Sequence, residues 1–159
     1  MRVLAIDPGY DRLGVAVLEY ESGTETVRFS GCLETDSALP LAERLYTIGT
    51  SFEQLLKDHS PDTVAIETLF FNKNVKTALG VAQARGIIMY LAQKYGCTVY
   101  EFGPQEIKIA VTGYGSSDKT AVTHMIKHTI RSVPEQALDD EYDAIAVGVT
   151  CLAHYGRGR

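Results

Sequence analysis

Four acidic residues crowd the stretch Asp139-Asp140-Glu141-Tyr142-Asp143, directly ahead of the small apolar run Ala144-Ile145-Ala146-Val147-Gly148-Val149. That composition predicts a buried helix whose first turn is lined with carboxylates, which repel one another unless a cation gathers them. Residues three and four apart share a helix face, so Asp143 lies beside both Asp140 and Asp139, a two-carboxylate claw suited to a divalent metal ion. A duller reading stays open. Acids favour helix N-termini because of the helix dipole, and Asp139 or Asp140 then serves only as a cap. The readings part on whether other isolated acids stand at strand ends. Arg2-Val3-Leu4-Ala5-Ile6 is a short apolar run ending at Asp7-Pro8-Gly9, and Thr63-Val64-Ala65-Ile66 is another ending at Glu67, and both patterns favour buried strands. If those strands are parallel neighbours, Asp7 and Glu67 emerge together where the last helix adds Asp140 and Asp143. Four oxygen ligands from three separated segments suit hard cations such as Mg²⁺ or Mn²⁺, which keep waters and accept phosphate oxygens. That is a phosphoryl-transfer site, where two ions about 3.5 to 4 Å apart can activate a water and stabilise the departing oxygen of a phosphodiester.

The elements that must position these residues follow from periodicity. After the first strand, Leu13 to Tyr20 reads as a second, Ser22-Gly23 as a turn and Thr26 to Glu34 as an alternating third, an antiparallel meander. Pro40 to His59 predicts an amphipathic helix with Leu41, Leu45, Ile48, Phe52, Leu55 and Leu56 on one face. The Glu67 strand leads through Thr68 to Lys73 into a helix over Val75 to Tyr95, stopped by Gly96. Thr98 to Phe102 is a fifth strand. Pro104 to Val111 reads as a short helix, Gly113 to Ser117 as a mobile turn and Asp118 to Ile130 as a further helix. Together these predict an α/β protein, a mixed five-stranded sheet flanked by helices. Residues 1–156 are expected to form one domain and 157–159 a short tail.

Composition narrows the function classes. No apolar run approaches the length of a membrane span, and no signal-peptide layout opens the chain, so a cytoplasmic protein is expected. Cys32, Cys97 and Cys151 are odd in number and widely spaced, which favours structural thiols over disulfides or zinc. The net charge is −5. It is unevenly spread. Thr68 to Val133 holds eight Lys and Arg against three acids, a local +5 that leaves −10 for the rest. A polyanion can therefore bind the middle third while the acidic ends hold metal.

At this point an ordered set of motifs resembles a known family. Ile6-Asp7-Pro8-Gly9, Ile66-Glu67 with Phe70, Lys73-Asn74, Gln83-Ala84-Arg85-Gly86, Lys108, Gly113-x-Gly115-Ser116 with Lys119, and Asp140-x-x-Asp143-Ala144-x-Ala146 are similar to the RuvC crossover junction endodeoxyribonucleases, nearly end to end. The resemblance implies a ribonuclease H-like fold, a homodimer, and Mg²⁺-dependent symmetrical nicking of four-way Holliday junctions in recombination and repair. Two ions per site are implied, with Mn²⁺ able to substitute, as are 5′-phosphate and 3′-hydroxyl products and cooperation with the RuvA and RuvB branch-migration proteins. By position, Asp7, Glu67, Asp140 and Asp143 match the catalytic, metal-binding carboxylates, and the family register selects Asp140 over Asp139. Lys108 and Lys119 match the active-site lysines. Phe70 matches the aromatic that probes the junction, and Lys73, Asn74, Lys76, Arg85, Tyr114 and Ser116 are the remaining candidate DNA contacts. One segment departs. Tyr10-Asp11-Arg12-Leu13-Gly14-Val15-Ala16-Val17 lacks the usual Thr-Gly-Tyr or Thr-Gly-Trp and looks closer to the YqgF nucleases of ribosomal RNA maturation.

A YqgF-like RNA nuclease and a non-catalytic junction-binding module are the alternatives. The first leaves the long small-residue helix unexplained, and the second leaves the four carboxylates without a purpose. Duller readings attach to single residues. Lysines are usually solvated and paired phenylalanines usually core, and His124 and His128, four apart on a helix, lack the Glu of a zincin motif. The Ala78-Gly80-Ala82-Ala84-Gly86 run either packs on its own sheet or lets a second copy approach. Resolving a four-way junction requires two related cuts, and a two-fold dimer supplies two sites at once.

Overall fold

The computed structural model describes residues 1–68 and 75–156. Phe70, Lys73, Asn74, the side chain of Lys76 and the tail 157–159 lie outside the described residues. In chain order the elements are β1 (Arg2–Asp7), β2 (Arg12–Glu21), β3 (Thr24–Glu34), α1 (Leu41–His59), β4 (Thr63–Glu67), α2 (Val75–Lys94), β5 (Thr98–Phe102), α3 (Pro104–Thr112), α4 (Lys119–Thr129) and α5 (Asp139–Tyr155). The sheet order is β3-β2-β1-β4-β5. β1 to β3 form the antiparallel meander, while β4 lies parallel to both β1 and β5. The expected mixed five-stranded sheet is therefore present. Its hairpin turns at Ser22 and Gly23, with φ of 50° and 81°, left-handed backbone that matches the twist of the flanking strands.

Side chains alternate faces along a strand, and this separates two cores. Leu4 and Ile6 of β1 and Val64 and Ile66 of β4 point to one side, with Phe52 and Leu56 of α1 and Ile88 and Ala92 of α2. Val3 and Ala5 of β1 and Ala65 of β4 point to the other, with Ile107, Val122, Ile126 and the apolar run of α5. The second face includes Asp7 and Glu67 by parity. Their ends of the strands meet the start of α5.

Two expectations change. β3 does not alternate cleanly: only Val27 is buried, because the register slips between Val17 and Leu18. Val17 faces Phe29 and Leu18 faces Val27, so Arg28 is an extra residue that reverses the phase, as a bulge does. On α1 the expected core position Leu41 is exposed, whereas Arg44 is buried. Arg44 reaches the loop after β1, pairing with Asp11, donating to the Tyr10 carbonyl at 3.1 Å and lying 4.5 Å from the Tyr10 ring centroid. That turns the α1 N-terminus into a brace for the segment next to Asp7. Element ends otherwise differ from expectation by a residue or two, except that α5 runs on to Tyr155.

α5 lies against β1 and β2 because Gly148 has no side chain there. A Cβ at Gly148 would stand 2.3 Å from Leu18 Cδ1 and 3.2 Å from Ala5 Cβ. Gly148→Ala is expected to destabilise the fold by about 1 to 3 kcal/mol, the usual cost of overpacking a filled core. Urea unfolding checks this, with a lower midpoint and an unchanged slope.

Candidate active site

Parity and pairing build the first half of the site. β1 and β4 run parallel in register, Ile6 opposite Ile66, so the next residues, Asp7 and Glu67, leave adjacent strands on the same face. Each carboxylate is partly buried. Thr68 secures the end of β4, its N–H donating to the Phe102 carbonyl at 2.9 Å and its hydroxyl to the same oxygen at 3.1 Å. Burial pushes Asp7 up to about 8, with the negative charges of Glu67, Asp143 and Asp140 adding to it and Lys119 opposing. Burial and the Asp143 charge raise Glu67 in turn, against a hydrogen bond with Asp7 that favours its ionised form. These are carboxylates whose full ionisation needs positive charge.

The first turn of α5 completes the cluster. Leu138, with no side-chain hydrogen bond to give, is the N-cap residue, so neither Asp139 nor Asp140 spends its carboxylate on capping. Asp143 lies 2.7 Å from Lys119 Nζ, and burial raises it while the Lys119 hydrogen bond and charge pull it down. Burial alone would lower the pKa of Lys119; bonding to Asp143 and Asp139 outweighs it and raises the ammonium. Asp139 also touches Lys119, at 3.5 Å, but its side chain is 78% exposed against 26% for Asp140. Asp140 faces the sheet, where it pairs with Arg12 at 2.9 Å. Lys119 follows the N-cap Asp118, whose side chain accepts from Ala121 N–H at 2.8 Å. That cap fixes where α4, and with it Lys119, begins. Glu67, Asp143, Lys119 and Lys108 line one cleft of about 200 Å³, walled by Pro104, Ile107, Val122 and Ala146.

The structure thus brings together Asp7, Glu67, Asp140, Asp143, Lys119 and Lys108. Tyr114 and Ser116 are exposed on the turn ahead of α4. That turn, expected to be mobile, is laced by Thr112, whose Oγ1 accepts from Tyr114 N–H at 3.1 Å and lies 2.7 Å from Ser117 Oγ. Arg85 lies on α2, paired with Glu101. His124 and His128 stack on each other at 4.1 Å between centroids and are exposed. Arg12 and Arg44 are the residues that pattern reading misses. Arg44 carried a signal, a charge beside the apolar stripe of α1; Arg12 carried none beyond its departure from the family pattern.

No three His, Cys, Asp and Glu side chains among the described residues form a ligand cage; Lys119 and Arg12 stand among the acids. The donor chemistry still fits hard cations. All four are carboxylates, and three of them are held above their ordinary pKa by burial, with neighbouring negative charge contributing to each shift. Among the described residues, no helix is long and apolar enough to cross a membrane.

Sheet order and the strand-end acids place the molecule among ribonuclease H-like α/β proteins. At the level of fold alone, the yeast mitochondrial Holliday junction resolvase Ydc2 superposes with a TM-score of 0.73 at 12% identity, covering 97% of this chain and 81% of that one. The particular family is narrower. The profile described as "Crossover junction endodeoxyribonuclease RuvC" matches residues 3–151, and the chain belongs to that family. The RuvC of Thermosipho melanesiensis is 44% identical over 154 residues, 96% of this chain and 97% of the relative. A structure of T. thermophilus RuvC in complex with a Holliday junction substrate superposes with a TM-score of 0.91 at 27% identity, covering 97% of this chain and 94% of that one.

The raised carboxylates make stability depend on pH in a stated direction. Between 3.8 and about 8 the folded protein holds on Asp7 a proton that the unfolded chain has released, so stability is greatest below that window and falls as pH rises through it. In chelator, the melting temperature is expected to drop from pH 6 to pH 8. Mn²⁺ at pH 8 restores it, and Asp7→Asn flattens the pH dependence. Thermal unfolding at the two pH values, with and without Mn²⁺, checks all three.

Proposed function

We propose that this protein is a structure-specific endonuclease that resolves four-way DNA junctions by symmetrical, metal-dependent nicking of two strands of like polarity. Residues 1–156 act as one nuclease domain. The carrying observation is the cluster of Asp7, Glu67 and Asp143 against Lys119, in a chain matching the RuvC family over residues 3–151. Asp7, Glu67, Asp140 and Asp143 would hold Mg²⁺ or Mn²⁺, two ions per site. When bound, such ions activate water and stabilise the leaving oxygen of a phosphodiester. Water adds to phosphorus and the bond to the 3′ oxygen breaks, leaving a 3′-hydroxyl and a 5′-phosphate. Lys119 and Lys108, in the same cleft, stabilise the charge that develops on the phosphoryl oxygens. The basic middle third of the chain supplies phosphate contacts, with Phe70, Lys73, Asn74, Lys76, Arg85, Tyr114 and Ser116 as candidates. RuvA and RuvB are partners by resemblance alone.

Incubation with Mg²⁺ and end-labelled four-way junctions tests the chemistry. Wild type should cut two strands of like polarity, while Asp143→Asn and Glu67→Gln bind the junction without cutting it. Lys119→Ala is expected to lower the cleavage rate by about 10²- to 10³-fold, as loss of a transition-state donor does, with little change in binding. Full activity in Asp143→Asn would remove Asp143 from the site.

Paired cutting calls for two sites, and α2 offers a surface for a second copy. The small-residue run divides around the helix. Ala84 and Gly80 point inward, Gly80 under the Tyr10 ring, where a Cβ would stand 2.9 Å from Cδ1. Ala82 and Gly86 point outward with the exposed Leu79 and Tyr90. An outward apolar stripe at spacings of three and four is a helix-packing surface. Ala82→Arg should give a folded monomer by sedimentation that nicks single strands without pairing the cuts. A stable, fully active dimer would place the contact elsewhere.

A further inference from the structure

Arg12 opens β2, and strand parity groups it with Gly14, Ala16 and Leu18, of which Ala16 and Leu18 pack in the core beneath α5. Arg12 is thereby aimed at the first turn of α5. At Gly14 the two main chains touch: a Cβ there would stand 1.9 Å from the Asp140 carbonyl oxygen. The guanidinium two residues away then lies 2.9 Å from Asp140 Oδ2. That oxygen is sealed from solvent and makes no well-angled hydrogen bond, so its contact with Arg12 is an ion pair. The other acids of the turn have separate partners. Asp139 and Asp143 share Lys119, and Glu141 accepts from Ser30 Oγ at 2.6 Å.

Resting on the metal-site reading above, we propose that Arg12 is a positioning residue for Asp140: it clamps Oδ2 so that the other carboxylate oxygen is presented to the cluster formed with Asp7, Glu67 and Asp143. A carboxylate held by a fixed partner loses less freedom when it takes up an ion, and outer partners of this kind are worth about 10- to 100-fold in metal affinity. The guanidinium charge acts in the opposite sense, because a cation a few ångströms from a metal ligand repels the metal. The two roles therefore differ in sign. If Arg12 is only a counter-ion, its removal tightens metal binding; if it positions Asp140, its removal weakens it.

Mn²⁺ alone, without DNA, is the probe, titrated into the full chain at pH 7.5 and followed by the electron paramagnetic resonance of the free ion. Arg12→Ala should weaken Mn²⁺ affinity by about ten-fold or more, with a cooperative thermal transition in chelator showing that the variant is folded. Arg12→Lys keeps the charge but places it on a flexible four-carbon stem, and should recover only part of the affinity. Arg28→Ala, which removes an arginine paired with Glu19 and Glu21, should leave the affinity as in wild type. Unchanged or tighter Mn²⁺ binding in Arg12→Ala, with wild type binding normally, overturns the positioning role. A wild type that takes up no Mn²⁺, or an Asp140→Asn protein that binds as well as wild type, overturns the metal-site reading and the proposal with it.

Discussion

Two carboxylates that repel each other are fixed on the same face of adjacent parallel strands, and much of the surrounding structure manages that repulsion. Asp7 and Glu67 cannot move apart, because the register of β1 with β4 sets their spacing and strand parity sets their direction. Side-chain rotation offers little relief when burial already disfavours the charged forms. Relief comes from cations delivered by other segments. α4 brings Lys119, whose charge favours the ionised forms of both Asp7 and Glu67, while β2 brings Arg12 to the neighbouring Asp140. Fold and electrostatics are thus one problem, since the sheet that concentrates the charge also orders the elements that offset it.

The acids at strand ends were legible because an apolar run broken by one carboxylate has few structural explanations. Asp7 and Glu67 are such cases, and their strands pair as the pattern required. The Asp140 to Asp143 spacing was legible through helix periodicity. Helix phase was legible only through the family register, which selected Asp140. Whether Asp139 or Asp140 faces the sheet depends on where the turn meets Gly14, a contact between distant segments that no local pattern encodes. Arg12 and Arg44 escaped for the same reason, as each is defined by a partner far along the chain. The bulge at Arg28 escaped because an extra residue in a strand leaves no compositional mark. Small residues on α2 were visible, but their division into inward and outward sets follows from helix geometry once one face is seated.

The two faces of the sheet are put to different uses. The α1 and α2 side is closed by large aliphatic and aromatic side chains and leaves its outer helix surface with Leu79, Ala82, Gly86 and Tyr90 toward solvent. The α5 side carries the charged site at one end and a core rich in alanine and valine behind it. Small residues there let a helix approach the strands closely, which is how carboxylates from α5 come level with those of β1 and β4.

α5 touches β2 at two places without a side chain between them on one partner or the other, at Gly14 below Asp140 and at Gly148 above Leu18. Eight residues of helix rise about 12 Å, and four residues of strand span about 13 Å. Helix and strand therefore keep step over the whole distance, running in the same direction like a splint bound at both ends. At the Gly14 end, where main chain meets main chain, the joint has no adjustable spacer. A shift of the helix along the strand would strike backbone at the Gly14 end and the Leu18 side chain at the other. Asp140 is thereby seated on β2, beside the central strand β1, so the half of the site carried by a helix is referred to the same sheet as the half carried by strands.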